Sequence, residues 1–186
     1  METVMVGDLM VPLEEYATVS EDATLFDAVM ALEKAQERLD RESYHYLHRA
    51  ILVLDKNKRV IGKVSQLDAL RTLEPKYAEM GDWGSLSRAG FSPQFMKSMV
   101  SQYALLSGSL EDICKRAAKT PVKEFMYTPK EGEYIDKGAY LNQAIHQFVM
   151  GHHQSLLVTA DQGIAGVLRL TDVFKHLFQI MKTGSS

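Results

Sequence analysis

Apolar residues in this chain fall into blocks whose spacing alternates between extended and helical. Leu25, Ala28, Val29 and Leu32 recur at three- and four-residue steps and predict one face of a helix. Residues 16–19 ahead of them read as a short extended stretch. Residues 50–54 and 60–65 behind them are β-branched and aliphatic runs that predict two strands. The polar link DKNKR between those runs has the composition of a hairpin turn, and a closing helix is expected over 66–73. The same blocks return later. Residues 133–135 are extended, and Leu141, Ala144, Ile145 and Phe148 mark a helix face. Strands are expected at 156–159 and 164–168, joined through ADQG, with a closing helix over 171–181. Each set has the order β-α-β-β-α, which is an α/β (α+β) fold class.

The return is also literal. VGDLM at 6–10 answers VKEFM at 122–126, and VSEDATLFDAV at 19–29 answers IDKGAYLNQAI at 135–145, both at an offset of 116. HRAILV at 48–53 answers HQSLLV at 153–158, and GKVSQLDAL at 62–70 answers GVLRLTDVF at 166–174. Such a period implies duplicated units that pack on one another. The chain divides into a first unit over 1–73, a connection over 74–119, a second unit over 120–182 and a tail over 183–186.

Two features break the symmetry. Between the first helix and the next strand the offset falls from 116 to 105, so copy one is 11 residues longer. As helix, that adds about 16 Å. The extra sequence, EKAQERLDRES, spaces Glu37 with Arg41 and Arg38 with Glu42 for helix-surface ion pairs. It reads as a solvated extension or as an arm over a neighbouring subunit or partner. The connection is too long for a bare loop and should carry structure. Ser92-Pro93 is an N-cap followed by proline at the first helical position. Phe95, Met96, Met99, Val100, Tyr103 and Leu106 follow at helical spacing, a stripe expected to pack against the units. A second short helix near 110–118 carries Cys114.

Composition narrows the function classes. The 186 residues are 46% apolar and 24% charged, ordinary for a globular core. A net charge of −3 argues against generic nucleic-acid binding, though it leaves room for a local basic pocket. The single Cys114 has no internal disulfide partner, which fits a reducing cytoplasm. METVMVGD lacks signal-peptide features, and no apolar run approaches a membrane span. No phosphate-binding loop, GxSxG or HExxH is present, so no residue is assigned a catalytic role. His152 and His153, read as strand neighbours, point to opposite faces, so with His48 they do not make a metal site. His146 reads as packing or surface.

The strongest chemical signal is Gly62-x-Val64-Ser65-x-x-Asp68, at a strand end and helix start. Ser65 and Asp68 together offer a carboxylate acceptor and a hydroxyl to a ribose edge. The same spacing fits a capping box, and Asp68 is one turn from Arg71, as Asp172 is from Lys175.

The β-α-β-β-α order, the opening V-x-[DE]-[LF]-M and the closing G-x-h-S-x-x-D (h, aliphatic) resemble the cystathionine-β-synthase (CBS) domain. Two copies resemble a Bateman module, and the whole chain resembles a stand-alone bacterial CBS-pair protein. The resemblance implies a pseudo-twofold pair of CBS units, with a helical insertion between them. It implies clefts for an adenosine-containing ligand: AMP, ADP, ATP or S-adenosylmethionine. Ser65 and Asp68 would meet the ribose, and Val11, Pro12, Ala50 and Ile51 would line the base. His48 and Arg49 would meet phosphate. Copy two keeps Asp172 but has Arg169 where Ser or Thr is expected, so Arg169 would reach a phosphate or pair with an acidic neighbour. The implied role is a non-catalytic regulatory module, a homodimer acting on a partner protein. The alternative is a structural or interaction module whose clefts are filled by side chains such as Tyr16, Tyr127 or Tyr134.

Overall fold

The computed structural model of the chain describes residues 4–38, 47–79, 90–161 and 163–184. Residues 39–46, which hold the second members of the Glu37–Arg41 and Arg38–Glu42 pairs, lie outside the described residues, as do 80–89.

The elements follow the two blocks. The first holds α1 (Val6–Leu9), β1 (Val11–Pro12), β2 (Thr18–Ser20), α2 (Leu25–Arg38), β3 (Ala50–Leu54), β4 (Val60–Ser65) and α3 (Gln66–Thr72). The connection holds α4 (Lys76–Glu79), α5 (Pro93–Gln102) and α6 (Leu110–Ala117). The second block holds a 3₁₀ turn at Val122–Glu124, then β5 (Tyr134–Asp136), α7 (Leu141–Gly151), β6 (Ser155–Ala160), β7 (Gly163–Arg169) and α8 (Leu170–Gly184). Among the described residues no helix is long and apolar enough to cross a membrane.

Local chemistry sets these boundaries. Thr24 caps α2: Asp27 Oδ2 accepts from the Thr24 backbone and hydroxyl at 2.9 and 2.8 Å. Ser92 caps α5, its hydroxyl accepting from Phe95 N, with Pro93 beginning the helix. The β3–β4 turn is gathered by Asp55, whose carboxylate accepts from the backbone N–H of Asn57 and Arg59, each at 2.8 Å.

Two sheets result. One has the order β2-β3-β4, with β2 parallel to β3 and β3 antiparallel to β4. The other has the order β1-β7-β6-β5. Both hairpins carry a register irregularity at the equivalent place, Val53/Leu54 and Val158/Thr159.

β1 belongs to the first block by sequence but to the second sheet by hydrogen bonding, with Val11 opposite Val167 and Pro12 opposite Gly166. The reciprocal contact is present too: Lys63 of β4 and Tyr127 exchange backbone bonds at 2.9 and 2.8 Å. The opening segments therefore cross. Val6 N–H and Gly7 N–H donate to the carbonyls of Ala139 and Lys137, while Val122 N–H donates to Ala23.

Packing follows the crossing. Val6 is buried with Ile135, Leu141, Ala144, Phe148, Leu156, Val158 and Leu168. Val122 is buried with Ala17, Ala28, Ile51, Val53 and Val64. Each valine contributes on the order of 2 kcal/mol by burial, and contributes it to the other block's core. A third core, between the sheets, joins Val11, Tyr16, Leu52, Leu157 and Val167. Alternate residues of one strand thus serve opposite cores, as the pleat requires.

Two sequence expectations need correction. Val29 is 49% exposed, because α2 turns only Leu25 and Ala28 fully inward. The stripe that begins on α5 does not pack into the units as expected: Met99 is half-buried, but Phe95, Met96, Val100, Tyr103 and Leu106 are exposed. Helical periodicity identifies an apolar face but not whether anything covers it.

The glycine repeated in both copies marks the crossings. A Cβ on Gly166 would lie 2.3 Å from the Val11 carbonyl oxygen, and one on Gly62 would lie 2.6 Å from Met126 Sδ. The first obstacle is backbone and the second the end of a flexible side chain. Gly166→Ala is expected to lower stability by about 1–3 kcal/mol, and Gly62→Ala by less. Urea denaturation checks this, and equal losses would contradict the assigned obstacles.

Candidate functional site

Ser65 ends β4 and caps α3, and the capping box is fully formed. Asp68 Oδ2 accepts from Ser65 N at 2.9 Å and from Ser65 Oγ at 2.6 Å, while Ser65 Oγ accepts from Asp68 N at 3.2 Å. Among the described residues, Asp68 Oδ1 faces only the exposed Arg71, at 3.6 Å. Both sequence readings of Asp68 as a cap and as an Arg71 partner hold, and neither consumes Oδ1 fully.

Beside this pair lies a polar network that crosses the two blocks. Lys63, two residues before Ser65 and so on the same face of β4, forms an ion pair with Glu133. Tyr127, opposite Lys63, donates its hydroxyl to Glu133 Oε1 at 2.5 Å. The Lys63 ammonium lies 5.2 Å from the Tyr127 ring centroid. Burial alone would raise the Glu133 carboxyl, but Lys63, Tyr127 and the Lys130 backbone together hold it below its ordinary value. The bond to Glu133, then burial, pushes the Tyr127 hydroxyl up to about 12, with Asp68 adding to the rise. The network thus holds Glu133 as a carboxylate and Tyr127 as a protonated phenol.

The equivalent place in copy two is built differently. Arg169 donates from Nε to Asp172 Oδ2 at 2.5 Å and from Nη2 to Asp172 Oδ1 at 2.8 Å, engaging both carboxylate oxygens. Its Nη1 stands 3.3 Å from Nδ1 of the fully buried His48. A guanidinium only donates, so Nδ1 accepts and the proton sits on Nε2. Tyr16 packs against the imidazole, with ring centroids 4.5 Å apart. Burial raises the Tyr16 hydroxyl to about 12. Where copy one has Lys63 and Tyr127 across the crossing, copy two has Val167 and Val11.

The structure sorts the sequence-predicted residues unevenly. Ala50 lies opposite Ser65 on β3, partly buried. Arg49 is exposed, its carbonyl accepting from Gln66 N at 3.3 Å. Ile51 faces α2 inside the first core, so its side chain lies on the opposite face of β3 from Ala50, the residue paired with Ser65. Val11 is fully buried between the sheets and, with Pro12, pairs with β7, away from the strand that carries Ser65. His48 has no exposed surface with which to meet a phosphate, and Arg169 is paired with an acidic neighbour. Lys63, Tyr127 and Glu133 were not foreseen as a group. Their signal was the repeat itself: Tyr127 follows Met126 as Val11 follows Met10, and Lys63 follows Gly62 as Val167 follows Gly166.

Among the described residues no group of three or more His, Cys, Asp or Glu is placed to hold a metal ion. An open depression over α7, lined by Gly132, Asn142, His146 and Met150 among others, includes none of Ser65, Asp68, Arg169 and Asp172.

Burial, and then the Arg169 charge, lowers His48 from 6.5 to about 4. As pH falls below about 6.5 the unfolded chain takes up this proton and the folded chain does not. Stability therefore declines between pH 6.5 and 4, by roughly 3 kcal/mol in total, and this contribution is constant below 4. His48→Gln is expected to flatten that part of the profile. Urea midpoints measured from pH 4 to 8 check it, and parallel profiles for the two proteins would contradict the assignment.

The CBS domain family model matches residues 6–75. Protein MJ1004 from Methanocaldococcus jannaschii shares the fold, with a TM-score of 0.58 at 21% identity, covering 95% of this chain and 60% of that one. This chain thus spans less than two thirds of that structure's length. A CBS domain-containing protein from Bacillus anthracis gives a TM-score of 0.60 at 18% identity, covering 95% and 94% of the two chains. CBSX2, solved in complex with AMP, gives 0.58 at 18% identity, covering 95% and 97%. No curated protein matches the chain. Residues 6–75 match the CBS domain family, and the chain shares its fold along nearly its whole length with CBS-domain structures.

Proposed function

We propose that this protein is a non-catalytic regulatory module that binds one adenosine-containing ligand per chain, at the Ser65/Asp68 cleft. CBS domains are regulatory modules, and the similar CBSX2 was solved with AMP. The observation that carries the reading is the contrast between the two Asp positions. Asp68 keeps Oδ1 with only an exposed partner at 3.6 Å, whereas Asp172 has both oxygens held by a buried arginine. A ribose needs a carboxylate free to accept from its hydroxyls. Asp68 meets that need at Oδ1, whereas at Asp172 a ribose would have to share both oxygens with Arg169.

The ligand is AMP, ADP, ATP or S-adenosylmethionine. Arg49, exposed beside Ala50, is the cation placed to meet a phosphate. Lys63 is the other, at the cost of its pairing with Glu133. The copy-two cleft fits the second reading drawn from the sequence, a space filled by the protein's own side chains. Tyr16, 6% exposed against His48, is the residue that fills it.

Isothermal calorimetry of ligand-free protein against the four ligands is the deciding measurement. Expected are binding by at least one of them and a stoichiometry near one per chain. Asp68→Ala is expected to weaken that binding about tenfold or more, because a charge-assisted hydrogen bond contributes roughly 1.5–3 kcal/mol. Absence of binding by all four would remove the reading, and two sites per chain would remove its asymmetry.

Association of two copies is part of the proposal. Leu70 of α3 and Phe174 of α8 hold equivalent positions in the two copies and are 61% and 63% exposed. A face presented twice by an internal pseudo-twofold suits an isologous contact. The double variant Leu70→Asp/Phe174→Asp is expected to reduce the mass seen by light scattering from two chains to one. A variant that stays dimeric places the contact elsewhere.

A further inference from the structure

We propose that α3 acts as a strut that couples the Ser65/Asp68 cleft to the central insertion, so that the turn after α5 reports the state of the cleft. In its ligand-driven form the inference rests on the nucleotide-binding reading above.

α3 has seven residues and none of them is buried. Its two large apolar side chains, Leu67 and Leu70, are 56% and 61% exposed. A helix this short is not stable through its own hydrogen bonds. It is held instead at its two ends, about 10 Å apart. One end is the Ser65/Asp68 capping box. The other is Glu74, just past the helix and only 7% exposed.

Glu74 does not serve its own helix. Its Oε2 accepts from Leu106 N at 2.6 Å, across 32 residues of chain, and its Oε1 accepts from Lys76 N at 3.3 Å. Lys76 completes the clamp, its ammonium donating to the carbonyls of Tyr103 at 2.8 Å and Ala104 at 3.3 Å. The clamped turn holds two non-glycine residues in left-handed backbone, Ala104 at φ 47° and Leu106 at φ 54°, followed by Gly108 at φ 111°. Such conformations persist only where surrounding contacts hold them. In this turn those contacts are the Glu74–Lys76 clamp, the buried Leu105, and local bonds from Leu105 N to Val100 O at 3.0 Å and from Ser107 Oγ to Ala104 O at 2.6 Å.

The two ends are linked through few atoms. A ribose hydroxyl that donates to Asp68 Oδ1, the oxygen Ser65 does not use, adds a contact to the first turn of α3 while the Ser65 cap on Oδ2 stays in place. No buried side chain fixes the helix independently, so that change passes along it to Glu74. Ligand binding that orders the first turn should then tighten the clamp.

Hydrogen–deuterium exchange on the full chain tests the coupling, using wild type, Glu74→Gln and Asp68→Ala, with AMP binding followed by calorimetry under the same conditions. Glu74→Gln keeps the shape but removes the charge, and is expected to speed exchange at Leu105 and Leu106 about tenfold. α3 amides should speed up with them, while the strands stay protected. Asp68→Ala should loosen residues 103–108 without any nucleotide. AMP should slow exchange in α3 and in 103–108 of wild type, but only in α3 of Glu74→Gln. AMP bound by calorimetry with 103–108 unchanged would overturn the proposal. So would a Glu74→Gln protein loosened at 103–108 but not in α3, or an Asp68→Ala protein with 103–108 unaltered. If AMP does not bind, the ligand reading fails for AMP, and the two variants still decide the strut.

Discussion

The structure depends on an exchange of opening segments between its two halves. Val6 completes the core of the second half and Val122 that of the first, while β1 and Tyr127 each extend the other half's sheet. Neither half closes its core from contiguous chain. The Gly62 and Gly166 positions follow from this, since each lets a foreign backbone or side chain pass where a Cβ would stand. The inter-sheet core of Leu52, Leu157, Val11 and Val167 is the middle of that exchange. The polar contacts that join the halves include Lys63 and Tyr127 with Glu133 at one crossing and Arg169 with His48 near the other.

Symmetry of the backbone does not carry over to chemistry. At one crossing the facing pair is Lys63 and Tyr127, tied through Glu133. At the other it is Val167 and Val11. Buried charge is costly unless paired and hydrogen-bonded, and Lys63, Tyr127 and Glu133 meet that condition among themselves. Arg169 and Asp172 meet it too, but with a neutral His48 and a buried Tyr16 packed over them. One arrangement leaves a carboxylate oxygen with only a distant, exposed partner at 3.6 Å, and the other engages both oxygens through a buried arginine.

Much of this was legible in the residues. Period and composition located both helix–strand–strand–helix blocks, the Asp55 turn, the Ser92-Pro93 helix start and the Ser65/Asp68 cap, because each has a local cause. What was not legible came from contacts distant in sequence. Val11, Pro12 and Ser65 lie in one copy and invite assignment to one cleft, yet the crossing sends the first two to β7. His48 beside Arg49 reads as a basic pair, yet 121 residues later Arg169 meets its ring and burial makes it neutral. Ile51 follows Ala50, but the pleat turns it to the helix side. The α5 stripe has the right period and little cover, a fact that no pattern within the stripe encodes.

The crossing also bears on the part of the chain that joins the halves. Because each half is completed by a segment at the head of the other, the two cannot be pulled apart without opening both cores. The connection over 74–119 therefore sets the local concentration at which each half meets its missing piece. Folding is in effect an intramolecular complementation, and a second copy of the chain offers the same two pieces. Exchange of opening segments between chains would satisfy the same contacts, and the tether favours the exchange within one molecule by raising the local concentration of each segment.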